Sequence, residues 1–220
     1  MNHKFYEKHL VHPKQILLLA VPPALTTTTY IAFYWSSSRF SQTGANLCGF
    51  LFYWVFWCYL APLLFLGRAG IRNIFKSKKP RLAQPTWLGA LFLLAPVLGT
   101  FGTIFPQAVG NVTPTILAYS VLFALINGVG EELLWRGTFV SVFSESWGWG
   151  VVYPSIGFGL WHFSPLVVTA GQGPVLLVTI GPMILGVMWG WIAKQTRSIR
   201  WLACAHVLVN LTALAGRIFT

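Results

Sequence analysis

Long apolar runs alternate with short polar, basic or Gly/Pro-rich breaks along the whole 220-residue chain. Runs of this length predict membrane-spanning helices, because a hydrocarbon core of about 30 Å takes about 20 apolar residues. About seven spans are expected, with six to eight as the range that short or broken segments allow. They lie near Gln15–Trp35, Asn46–Leu66, Thr86–Phe105, Thr115–Phe143, Val151–Val168, Val175–Ala193 and Trp201–Gly216. The breaks are a polar turn at Ser36–Ala45, a basic loop at Arg68–Arg81, a loop at Pro106–Pro114, turns at Ser144–Gly150 and Thr169–Pro174, and a second basic loop at Lys194–Arg200. The expected fold class is all-α, a polytopic transmembrane helix bundle, since helices satisfy their own backbone groups in lipid. Residues 1–114 form an N-terminal region of three spans and residues 115–220 the rest of one integral membrane domain. No internal repeat is visible.

Composition supports the same class. Charged residues are 9% of the chain and hydrophobic residues 55%, against about 25% charged in a soluble domain. A net charge of +11 would suggest nucleic acid in a soluble protein. Here the basic residues cluster in short loops, as cytoplasmic loops do, and no nucleic-acid partner is expected. Seven spans with a cytoplasmic N-terminus put the N-terminal lysines, Arg68–Arg81, Arg136 and Lys194–Arg200 on one side and leave Arg39 and Arg217 outside. The expected location is the plasma membrane, bacterial from the compact size. The first span is interrupted by Pro22-Pro23 and reads as retained, not as a cleaved signal peptide. Cys48, Cys58 and Cys204 lack metal-ligand spacing and read as small buried hydrophobes. Asn111-Val112-Thr113 and Asn210-Leu211-Thr212 match a glycosylation pattern, but the second lies inside an apolar run.

Candidate chemistry sits in three of the runs. Only four acidic residues exist, and two of them, Glu131 and Glu132, are adjacent in the fourth run. A carboxylate at membrane depth costs about 2.5–3.5 kcal/mol on insertion scales, so such residues face a protein interior or a wet cavity. Glu132 and Arg136 are four apart and share a helix face, which predicts a direct pair. Glu131 then points elsewhere and is free to work; the alternative is that the cluster is only a buried pair fixing helix packing. His162 follows Phe158 by one turn, so Phe158 is placed to cover the ring from lipid, and His206 precedes Asn210 by one turn. Taken singly, each histidine reads equally as a packing residue or as helix glue. Together, a carboxylate base, two imidazoles and an amide are the parts needed to activate water and hold an oxyanion. The other three histidines, His3, His9 and His12, lie in the N-terminal arm. Ser155 and Ser164, near His162, have no nucleophile setting.

Glu131-Glu132-x-x-x-Arg136, Phe158-x-x-x-His162 and His206-x-x-x-Asn210, in that order on separate apolar runs, resemble the three motifs of the CPBP family. These are the CAAX-protease and bacteriocin-processing (Abi) intramembrane proteases. The resemblance covers about Thr115–Ala215 and implies a glutamate-type membrane endopeptidase. It implies Glu131 as general base, His162 as a water-orienting partner, His206 and Asn210 as oxyanion donors, and Glu132 with Arg136 as residues that shape the first motif. No cofactor is expected. A zinc-dependent variant using His162, His206 and a glutamate is the alternative chemistry, although His-Glu-x-x-His spacing is absent. The rival functions are a non-catalytic immunity or scaffold protein of the same fold and a proton-coupled transporter, which usually shows two related halves. The expected partner is a membrane-associated protein or peptide within the bilayer. Prenylated proteins, pheromones, bacteriocin precursors and sorting tails all fit, and oligomeric state is not set by the sequence. Catalysis requires Glu131, His162, His206 and Asn210 to surround one cavity, expected to open on the cytoplasmic side.

Overall fold

The computed structural model describes residues 13–76, 78, 80–168 and 175–220. The histidine-bearing N-terminal arm and the turn at Thr169–Pro174 fall outside the described residues. Within them the chain is helical, with no strand. Seven principal helices follow in order: α1 (Pro13–Ser37), α2 (Gln42–Ile74), α3 (Thr86–Asn111), α4 (Pro114–Val142), α5 (Tyr153–Trp161), α6 (Val175–Thr196) and α7 (Arg200–Thr212). Among the described residues five of them, α1, α2, α3, α4 and α6, are long and apolar enough to cross a membrane.

The fifth and seventh expected segments are helical but broken. A π-helical turn at Gly148–Val152 leads into α5, and α5 ends where the His162 N–H bonds back to Gly159 and Leu160 before a short turn at Phe163–Leu166. Helix α7 has 13 residues, about 20 Å at helical rise. It stops before Leu214, which takes a left-handed conformation, and the chain turns into a 3₁₀ segment at Ala215–Phe219. The basic loop also differs from expectation. Helix α2 runs on past Leu66, because Gly67 absorbs the bend at φ 65°, a region cheap only without a Cβ. Arg68 and Arg72 therefore ride on its last turns.

Helix α4 lies between the two halves of the core. On one side Leu134, Trp135 and Phe139 join Phe50, Tyr53 and Trp161. On the other, Leu133 and Val140 join Trp189, Ile192 and Ile199. Small residues let the neighbouring helices come close, as is usual where lipid supplies no drive for association. A Cβ at Gly128 would stand 2.8 Å from the Val207 backbone nitrogen of α7, and one at Gly216 would collide with the backbone at Tyr119 and Ser120.

The same contacts define two ends. At one end Gly137 packs on Ile74 and Ile199, the Ile199 N–H donates to the Ile74 carbonyl at 2.9 Å, and Lys194 Nζ donates to the Ser144 carbonyl at 2.7 Å. At the other, Gly216 meets Tyr119 and Ser120, and Asn46 Nδ2 donates to the Ile218 carbonyl at 3.1 Å. The first end carries both basic segments, 68–81 and 194–200; the second carries Arg39 and Arg217. Arg136, expected on the side of the basic loops, is buried and lines a cavity toward that end. The close approach at Gly128 yields a prediction. Gly128→Ala should lower stability by about 1–3 kcal/mol, read as a lower thermal midpoint in detergent. Gly99→Ala, where nothing stands within 4 Å, should leave it unchanged.

Candidate active site

The two glutamates sit where α4 changes its winding. Regular α-helix ends at Glu131, and Glu132–Thr138 is π-helical. Such wide turns recur at functional sites. The Thr138 hydroxyl donates to the Leu133 carbonyl five residues back at 3.0 Å, closing the wide turn. Glu131, Glu132 and Arg136 are 1%, 0% and 2% exposed, so every charge here must find a partner inside the protein.

The partners form a chain. Arg136 Nη1 donates to Glu132 Oε1 at 2.9 Å, the pair expected from the spacing. His206 Nδ1 stands 2.8 Å from the same Glu132 oxygen, and His206 Nε2 stands 3.3 Å from Glu131 Oε2. The second Glu131 oxygen, Oε1, accepts from the Tyr53 hydroxyl at 3.0 Å, and the Tyr53 oxygen accepts from Trp135 Nε1 at 3.0 Å. His206 thus bridges the carboxylates. Both contacts are hydrogen bonds when the ring carries two protons; when it carries one, a proton must reside on a glutamate. With the ring doubly protonated, two carboxylates face one guanidinium and one imidazolium, and the buried set is neutral, the condition under which burial of charge is tolerable. The Arg136 guanidinium also lies over the Phe158 ring at 4.3 Å.

His162 belongs to the break after α5. Its Nδ1 is 2.7 Å from the Phe158 carbonyl. A carbonyl only accepts, so Nδ1 carries the proton and Nε2 holds the lone pair in the neutral ring. The Phe158 ring meets the His162 ring edge-on at 4.8 Å, the cover expected from their spacing.

A cavity of about 290 Å³ joins these groups; Glu131, His162, His206 and Asn210 all line it, together with Asn127 and Trp161. Glu132 and Arg136 do not line it and lie behind. Both backbone breaks border it through Pro165, Ala213 and Ala215, consistent with the rule that irregular backbone at membrane depth is kept where it lines a cavity. Two buried donors of the lining, Asn210 Nδ2 and Trp161 Nε1, have no acceptor among the described residues. The cavity extends from the buried glutamate to exposed Arg217, at the end opposite the basic segments. An opening on the same side as the basic loops was expected, and the structure places it on the other side. A second cavity, of about 220 Å³, lies at the basic end; Arg136 lines it, but neither Glu131 nor any histidine does.

Sequence reading missed Tyr53, Trp135, Trp161 and Asn127. Tyr53 sits in an aromatic-dense run read as packing, and nothing in that run sets its hydroxyl apart from its neighbours. Ser155 and Ser164 are engaged elsewhere, with the Val151 carbonyl and with Thr29 and the Thr26 carbonyl. Cys58 is buried as expected, but Cys48 and Cys204 are exposed free thiols on the outer faces of their helices. Among the described residues no three His, Cys, Asp or Glu side chains form a group able to hold a metal.

The buried pair has a measurable consequence. Arg136→Gln leaves Glu132 with a buried charge that only His206 can answer. It should cost about 3–5 kcal/mol, read as loss of folded protein in a denaturant titration in micelles. Arg39→Gln, at an exposed position, should have no such effect.

No curated protein matches the chain, and no solved structure does. The family model of type II CAAX prenyl endopeptidases, Rce1-like, matches residues 112–212, which contain all seven motif residues. Over these residues the chain is similar to the Rce1-like family of type II CAAX prenyl endopeptidases.

Proposed function

We propose that the protein is a glutamate-type intramembrane endopeptidase acting on a membrane-associated protein or peptide. The observation that carries this reading is the convergence of Glu131, His162, His206 and Asn210 on one cavity. Glu131 removes a proton from water, and the water oxygen bonds to the peptide carbonyl carbon. Tyr53 fixes the carboxylate through Oε1, leaving Oε2 beside His206 as the proton-accepting edge. The lone pair on His162 Nε2 accepts the second water hydrogen and orients the attack. The proton taken by Glu131 is shared with His206 and then passes to the leaving nitrogen as the C–N bond breaks.

The oxyanion needs donors that are not already committed. Both His206 nitrogens lie on the glutamates, so this reading gives His206 the proton-sharing role and not the oxyanion role. Asn210 Nδ2 and Trp161 Nε1 are buried donors of the cavity lining without acceptors among the described residues, and they take the oxyanion. Glu132 and Arg136 act by holding His206. No step in this scheme draws on a metal.

The test is comparative proteomics of membrane-protein termini, with the wild-type chain or a Glu131→Gln copy expressed in an otherwise deleted background. Termini that appear with wild type and vanish with Glu131→Gln, at equal abundance of folded protein, are the expected result. Identical termini in both would overturn the protease reading. With a substrate so found, Asn210→Ala should lower kcat by about 10²–10³ and leave a measurable remnant, as loss of one oxyanion donor does. Turnover should survive a zinc chelator, because base and oxyanion donors all come from the chain; loss on chelation with recovery on added zinc would contradict this.

A further inference from the structure

The bundle has one strongly basic end and one weakly charged end, and the catalytic cavity opens at the weakly charged one. Along α4, Ser120 packs at one end against Gly216 and Gly137 at the other against Ile74 and Ile199, a separation of about 25 Å at helical rise. The cavity runs from Glu131 toward the Ser120 end. Its outer lining comes from the last residue before the Phe105 turn of α3, Ile104, from Pro165 beyond α5, and from Ala213, Arg217 and Ile218 beyond α7. Burial follows the same direction, from Glu131 at 1% exposed to exposed Arg217. Toward the basic end, buried Glu132, Leu133 and Arg136 stand behind the site. The second cavity, of about 220 Å³, lies there among Ile74, Lys78, Arg197 and Ile199, and neither Glu131 nor any histidine lines it.

Short loops rich in Lys and Arg stay cytoplasmic. The basic end carries Arg68, Arg72, Lys76, Lys78 and Arg81 in one segment and Lys194, Arg197 and Arg200 in the other. The cavity end has Arg39 and Arg217. The N-terminus of α1 is also at the basic end, where Gln15 Nε2 donates to the Val142 carbonyl. We infer that the active-site cavity is entered from the non-cytoplasmic face of the membrane. Resting on the protease reading above, the substrate class is then a membrane-anchored peptide segment presented on the exported side. A prenylated chain end held at the cytoplasmic leaflet would meet the basic end, whose cavity neither Glu131 nor a histidine lines. The cleaved segment must also be unwound where it enters, because carbonyls engaged in a helix do not offer themselves to Asn210 and Trp161.

Thiol labelling tests entry without any need for activity. In a chain with Cys48, Cys58 and Cys204 replaced by alanine, single cysteines are placed at Ala213→Cys, by the cavity mouth, and at Ser198→Cys, at the basic end. A membrane-impermeant maleimide is applied to intact bacterial cells and to inverted membrane vesicles. Labelling of Ala213→Cys in intact cells only, and of Ser198→Cys in inverted vesicles only, is the expected pattern. The reverse pattern, or labelling of both positions from one side, overturns the inference. Ser38→Cys and Arg81→Cys, both exposed and remote from the site, report the same two ends if the first pair accumulates poorly. Termini proteomics separates the two claims. Cleavage sites on the cytoplasmic side would refute the substrate class while the protease reading stands. Absence of any Glu131-dependent cleavage would refute the protease reading, and the labelling would still decide which face the cavity opens to.

Discussion

Everything in the site depends on His206 lying between two carboxylates. Its ring nitrogens stand 2.8 Å from Glu132 and 3.3 Å from Glu131. Adjacent glutamates buried in an apolar bundle repel one another and pay for desolvation twice, and only charges or donors placed between them make the arrangement tolerable. Arg136 answers Glu132 from the same helix, four residues on. His206 must come from another helix, so α7 has to approach α4 closely, and Gly128 is where its backbone does. The π-helical turn beginning at Glu132 and the glycine contact are therefore conditions for the charge cluster as well as features of packing.

The cluster also divides labour within the first motif. Glu131 reaches the cavity and has one oxygen held by Tyr53; Glu132 stays behind and holds His206. Two glutamates are needed because one carboxylate cannot both anchor the imidazole with Arg136 and face the water-sized space. A scaffold would need the anchor alone. Among the buried donors left without acceptors, Asn210 Nδ2 and Trp161 Nε1 belong to the cavity lining and fit a site that awaits a carbonyl oxygen better than a finished packing contact.

Much of this was legible in the chain because the governing rules are local. Apolar run length gives helices, and spacing of four gives the Glu132–Arg136 pair and the Phe158–His162 cover. The scarcity of acids in an apolar chain points to Glu131. What was not legible depends on contacts between helices or on backbone breaks. Tyr53 becomes part of the site only because its helix stacks it on Trp161 at 3.9 Å and aims its hydroxyl at Glu131. The breaks at His162 and Leu214 are invisible to hydropathy, which continues through them, and they turn two expected spans into shorter helices that open the cavity. The side of that opening follows from which helix ends meet, a tertiary fact. For this reason charge asymmetry could orient the bundle and still leave the direction of the cavity wrong.

The central claim is that the reacting carbonyl is held between Glu131 and the Asn210–Trp161 donors. An experimental structure with an N-acyl peptide aldehyde, whose hydrate mimics the tetrahedral intermediate, tests it most directly. The account predicts one hydrate oxygen within hydrogen-bond reach of Asn210 Nδ2 and Trp161 Nε1, at about 2.7–3.2 Å, and the other beside Glu131 Oε2. A hydrate bound in the cavity at the basic end, or one bound near Glu131 with its oxygens turned away from both donors, would contradict it.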